Sequence, residues 1–176
     1  MKPFLLIKKW TKEEDASALL ESVMILPVLL TLLMGMFDLG FGIALNQKTI
    51  TASQIASDLI SRNKSVTLSD VDNIIDASRL TFEPYTINAF AIDIVSLEFD
   101  ENSDPQILWR ETRDMLPNNA SVNSTVGLGA EGEGMIIVTV QYSYQPFFSQ
   151  LFTDDFNLQE IAFSRGRRSP TVEWDT

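Results

Sequence analysis

Four oxygen-bearing side chains stand at the spacing of a calcium loop: Asp100, Asn102 and Asp104, with Glu111 at the twelfth position counted from Asp100. Carboxylate and amide oxygens in that order could wrap a hard cation. The sixth position of such a loop turns sharply and calls for glycine. Here it is Pro105, whose ring keeps φ negative. The stretch is read first as a solvated turn, with calcium as the second reading. Gly127-x-Gly129 and Gly132-x-Gly134 have the look of a phosphate cradle, but the charges among them are Glu131 and Glu133 and no Lys-Ser/Thr pair follows. Asp154-Asp155 is an acid pair in a turn. The chain has no histidine and no cysteine. That removes the commonest general base, thiolate chemistry, disulfides and the usual zinc and haem sites. No catalytic residue and no cofactor are expected; the reading is of a protein that is not an enzyme.

Two further acids, Glu21 and Asp38, have a different setting. Sixteen uncharged residues, 22–37, separate them inside the apolar run 16–45. At ~1.5 Å per helical residue the uncharged part spans roughly 24 Å, close to the ~30 Å hydrocarbon core of a bilayer. A carboxylate within a membrane is costly unless it reaches the headgroups or finds a partner. Both are open to each acid.

The elements that must carry these residues follow from pattern. Residues 1–15 hold Lys2, Lys8, Lys9 and Lys12, then Glu13-Glu14-Asp15. The apolar run is longer than a signal-peptide core and no A-x-A-like site follows it, so it is read as a retained anchor. Lysines before the run place the N-terminus in the cytoplasm and everything after Asn46 outside it. Pro27 should bend the anchor mildly, and Gly35, Gly40 and Gly42 offer small surfaces to another helix. Helical spacing of Ile50, Ser53, Ile55, Ala56, Leu59 and Ile60 continues the helix as a stalk, 46–62.

From Asn46 onward the chain carries nine basic and nineteen acidic residues, a poor balance for a nucleic-acid partner. Ser69 is the expected cap of a second helix with Val71, Ile74, Ile75 and Ser78 on one face. Strands are expected over 90–99, 106–110, 135–144 and 156–164. A change of alternation after Ile94 suggests a bulge, and 117–133 reads as a loop. The fold class is therefore α+β: a transmembrane helix, a stalk helix, then a small antiparallel-sheet domain over 63–176 with helices on one face. Arg165, Arg167 and Arg168 can pair with the acidic domain or with a partner.

Ala16, then Glu21, an apolar run containing Pro27, and then Gly35-Met36-Phe37-Asp38-Leu39-Gly40 resemble the TadE/TadG-like proteins. These are pseudopilins of the tight-adherence (Flp) pilus machinery. The strand 135–144 with Gln145-Pro146-Phe147, and the ending Phe163-Ser164-Arg165-Gly166-Arg167-Arg168, support the resemblance more weakly. It implies a pilin-like fold and a structural or assembly role as a minor pseudopilin. It also implies an inner-membrane location with one span, the C-terminal domain being periplasmic or extracellular. The implied partners are the membrane, other pilins and the assembly machinery, with no small-molecule substrate. Glu21 matches the glutamate at the fifth mature position, which implies prepilin-peptidase cleavage between Ala16 and Ser17. Asp38 and Gly40 match the second acid and its glycine. Ala16 stands where the family has Gly, and Ser22 where it has Phe. Both the cleaved, TadE-like form and the uncleaved, short TadG-like form remain open. The alternative function is a membrane-anchored extracytoplasmic binding or sensor domain, responsive to calcium.

Overall fold

The fold is that of a computed structural model, which describes residues 4–85, 89–148 and 155–175, with side chains from Ser17 onward. The leader's side chains, the side chain of Ala16 and the residue Asp154 thus lie outside the described residues. One helix, α1 (Phe4–Ser61), runs through the apolar segment and on into the domain. No Pro or Gly falls beyond Gly42 to break it, and Pro27 sits inside it. After it come β1 (Ser65–Val66), α2 (Leu68–Arg79), a 3₁₀ turn (Leu80–Phe82), β2 (Phe90–Phe99), β3 (Pro105–Arg113), α3 (Asn119–Asn123), β4 (Gly134–Tyr144), β5 (Phe156–Ser164) and β6 (Glu173–Trp174). The main sheet has the order β3-β2-β4-β5, antiparallel throughout. The expected α+β architecture, a long N-terminal apolar helix followed by a small antiparallel sheet, is what the chain adopts.

From Asp38 onward α1 is no free stalk but the core helix of the domain, packed along β4 and β5. Its inner face is Thr49, Ala52, Ser53, Ala56, Ser57, Ile60 and Ser61, all buried. Of the predicted helical pattern, Ser53, Ala56 and Ile60 lie on this face, whereas Ile50, Ile55 and Leu59 flank it and are only partly buried. The reason is close approach. Small side chains bring the helix backbone down onto the sheet, and their hydroxyls are satisfied there, Ser57 Oγ donating to Ser164 Oγ at 2.7 Å and Thr49 Oγ1 to the Leu45 carbonyl at 3.0 Å. Helix α2 covers the remainder of this face with Val71, Ile74, Ile75 and Ser78. Its cap is Thr67 rather than Ser69. The Thr67 side chain accepts from the Asp70 N–H while Asp70 accepts from the Thr67 N–H, a reciprocal pair that starts the helix at Leu68 and leaves Ser69 as its second residue.

Strand β2 is buried on both faces. Phe90, Ile92 and Ile94 meet the helices, whereas Val95, Leu97 and Phe99 join Met135, Ile137 and Val122 on the far side. The apparent change of phase after Ile94 is therefore not a bulge in β2. Alternation is unbroken, and what changes is which face is apolar. The register shift lies opposite, where Ser96 pairs with Trp109 and Leu97 with Ile107, leaving Leu108 as the extra residue in β3. Nor are the helices confined to one face. Within 117–133, expected to be loop alone, Asn118 caps the short α3, which lays Val122 over the second face. The C-terminal stretch closes the domain: Val172 O accepts from Trp109 Nε1 at 2.7 Å and from Ser96 Oγ at 2.8 Å, and β6 pairs in parallel with β1.

Candidate functional site

The exposed apolar surface of α1 covers residues 17–37. Side chains there lie open, Met24 at 77% and Leu20 at 68%, with only Gly35 partly shielded. The helix from Ser17 onward is long and apolar enough to cross a membrane, and none of its most apolar window is buried among the described residues. Twenty-one residues, 17–37, extend ~31 Å at ~1.5 Å each. Ser17, Glu21 and Pro27 all lie on this open stretch. Ser22 and Thr31 donate back to the Ala18 and Pro27 carbonyls four residues earlier, hiding their hydroxyls within the helix. The Pro27 carbonyl is thus an acceptor inside an apolar surface.

At Asp38 exposure drops abruptly to 5%. The chain returns to this point more than a hundred residues later, through the connection that leaves β4. Phe147 N–H donates to Asp38 Oδ1 at 3.0 Å, and Phe148 N–H lies 3.2 Å from Oδ1 and 3.0 Å from Oδ2. The Tyr144 hydroxyl donates to the Asp38 carbonyl at 3.1 Å. Burial pushes the Tyr144 phenol up, and the Asp38 charge pushes it further, so the hydroxyl stays protonated and remains a donor. The second acid of the helix is bound by its own chain. Glu21 and Asp38 are not brought together: one is open on the apolar surface, the other clamps the domain to the helix.

Residues 16–58 match the family model of TadE-like proteins. The chain carries a TadE-like helix. The match begins at Ala16, contains Glu21 and Asp38, and ends three residues before α1 does. It therefore covers the open stretch and most of the core helix, and none of the sheet. Comparisons with curated proteins and with solved structures gave no match.

The clamp of the TadE-like helix makes a direct prediction. In Asp38→Ala the Phe147 and Phe148 amides lose a charged acceptor, an interaction of ~1.5–3 kcal/mol. Their hydrogen exchange should then quicken by about ten- to hundred-fold, while amides of β4 keep their protection. Unchanged exchange at Phe147 and Phe148 would show that the clamp does not hold the connection.

Other residues singled out by sequence fall elsewhere. Gly35 lines an apolar groove of about 540 Å³ with Leu39, Gly42, Tyr144, Phe156 and Leu158, and Gly40 borders a separate hollow beside Phe41 and Tyr85. Asp100 Oδ1 accepts from the Asn102 and Asp104 N–H groups, at 2.9 and 3.0 Å, and Oδ2 accepts from Gln106 Nε2. Its oxygens are spent closing the hairpin. Pro105 opens strand β3, so Glu111 is drawn away along the sheet, roughly 20 Å from the turn at ~3.3 Å per residue, and pairs with Arg113. The calcium-loop spacing is not folded into a loop, and among the described residues no group of three acids gathers for a metal. Arg165 pairs with Glu133 and Arg167 with Asp58, which ties the basic tail to its own domain.

Hydrogen bonds hold two exposed carboxyls below the usual aspartate range: Asp70 through the Thr67 N–H and hydroxyl, Asp100 through the Asp104 and Asn102 N–H groups. Their folded pKa values are lower than their unfolded ones, so the stabilisation they give is present above about pH 4 and is lost as pH falls through the folded values. Carbon-detected NMR titration should place both midpoints below the free-aspartate value of ~3.9. A midpoint at or above it would remove that contact from the account.

Sequence reasoning passed over Asp93, the polar residue between Ile92 and Ile94 in the strand 90–99. Its side chain is fully buried and bound by Arg110 on both oxygens, Nε to Oδ1 at 2.8 Å and Nη2 to Oδ2 at 2.5 Å. The Asn118 N–H adds a third bond at 2.8 Å. An acid inside an otherwise apolar strand was the available signal; the arginine that binds it lies diagonally across, opposite Val95 on the next strand.

Proposed function

We propose that this chain is a bitopic subunit of a tight-adherence pilus apparatus, a minor pseudopilin or assembly factor, with a structural and not a catalytic role. What carries the reading is a coincidence of two ranges. The TadE-like match, 16–58, takes in the stretch 17–37, whose side chains lie almost wholly exposed. An apolar helix surface of that length needs a non-aqueous surrounding, first the bilayer and then other pilin-type helices. The four lysines before residue 16 orient the leader to the cytoplasm and the acidic domain to the outside. Glu21, exposed on the open stretch, is the residue that specifies assembly. Out of water its carboxylate needs a positive partner, and the mature N-terminal amine of a neighbouring subunit is the group this role supplies. Ala16 and Ser17 then flank the processing site.

N-terminal sequencing of the membrane-extracted protein separates the two forms. Ser17 at the terminus marks a processed pseudopilin, and Met1 an uncleaved assembly factor. A chain recovered from the aqueous fraction without detergent would contradict both.

A further inference from the structure

We propose that the aromatic residues around α1 at the level of Asp38 form a membrane seat, a surface that takes the headgroup–acyl boundary of the outer lipid leaflet and fixes the height of the domain above it. The inference rests on residues 17–37 being the span.

The first observation is position. The tip of the connection after β4 is held to Asp38 by the Phe147 and Phe148 amides. Its height along the helix is thereby set to within a turn of where the open apolar surface ends. With ~31 Å of helix below it, that level falls at the edge of a ~30 Å hydrocarbon core, where aromatic side chains settle.

The second is the rings themselves. Phe147 is 78% exposed and Phe37 50%, large apolar areas to leave in water. The rings make a continuous chain: Phe147 to Phe148 at 4.9 Å, Phe148 to Phe37 at 5.5 Å, Phe37 to Phe41 at 4.7 Å and Phe41 to Tyr85 at 6.0 Å. They border a groove of about 730 Å³ whose lining, among the described residues, includes no charged side chain. On the other side of α1, Phe156 is opposite Tyr144 in the sheet register and 48% exposed, bordering the second apolar groove. Among the described residues apolar surface therefore lies on two sides of the helix near one height. A plane of lipid contacts both sides of such a collar at once, whereas a single partner helix covers one. The collar is also continuous with the open surface of the span, which selects lipid as its occupant.

The absence of cysteine allows single labelling sites in the full chain. Nitroxides at Phe147→Cys, Leu30→Cys and Leu128→Cys, in phosphatidylethanolamine–phosphatidylglycerol liposomes, report depth by collision with oxygen against a water-soluble nickel chelate. Leu128, exposed near the far end of the sheet, is the aqueous reference. The ratio favouring oxygen should be highest at 30 and still several-fold above the reference at 147. If 147 behaves like 128 while 30 is in lipid, the seat is wrong and the span stands. If 147 is shielded from both reagents, a protein covers the collar and the seat is wrong. If 30 is itself aqueous, span and seat fall together.

Discussion

Asp93→Ala should unfold a large share of the domain at temperatures where the unaltered chain is stable. The substitution leaves Arg110, whose side chain is only 15% exposed, facing an apolar strand without its carboxylate, and strips the Asn118 N–H of its acceptor. Breaking a buried pair from one side costs ~3–5 kcal/mol, set against a total of ~5–15 kcal/mol for a domain. The loss has a second route. Asn118 begins the stretch that carries α3 over the far face of the sheet, and its Nδ2 also reaches Thr139 Oγ1 at 3.2 Å. Freeing it uncovers Val95, Leu97 and Ile137. Urea unfolding in detergent should show a midpoint shift with little change in slope. Replacing both partners, Asp93→Leu with Arg110→Met, should recover part of the loss, because no charge is then stranded. A cost under ~1 kcal/mol for Asp93→Ala, the range of an exposed pair, would show that the network is not what holds the covering segment.

Glu21→Ala should enter the membrane at least as well as the unaltered chain and fail to assemble. Removing a carboxylate from an apolar helix lowers the cost of insertion, so the amount in the membrane fraction is expected to hold. The loss lies in the next step, where the proposed amine partner finds no counter-charge. Pili should fall to the number seen without the chain. Glu21→Gln keeps shape and hydrogen bonding but not charge, and it should fail similarly if the contact is ionic. Normal piliation in Glu21→Ala would leave the acid without the role assigned to it. Asp38→Ala makes a useful contrast, because that carboxylate is satisfied within its own chain. Its effect should appear first as a loosened connection.

The contrast between the two acids also marks what sequence could and could not convey. Sequence alone sets them at the two ends of an uncharged apolar stretch, each equally able to face a headgroup or a partner. Only the return of the chain at Tyr144 and Phe147 distinguishes them, and contacts across more than a hundred residues leave no periodicity to read. Local signals did better. The strand at 156–164, the face Val71, Ile74, Ile75 and Ser78, and the unbroken helix past Gly42 all follow from spacing and from the positions of Pro and Gly. Where local signals misled, a second partner was involved. Of the α1 pattern, Ser53, Ala56 and Ile60 do face the sheet, while Ile50, Ile55 and Leu59 give way to Thr49, Ala52, Ser57 and Ser61, small residues that let the sheet come close. The cap of α2 was placed on Ser69, yet Thr67 has Asp70 to answer it. The spacing around Asp100 fits a calcium loop in one dimension, and pairing of β3 with β2 carries Glu111 away from it.

The proposed role in building a tight-adherence pilus is tested most directly by counting such pili by electron microscopy on cells deleted for the chain. Those cells should bear none, and should regain them when the unaltered chain is supplied in trans. Piliation equal to that of undeleted cells would contradict the account.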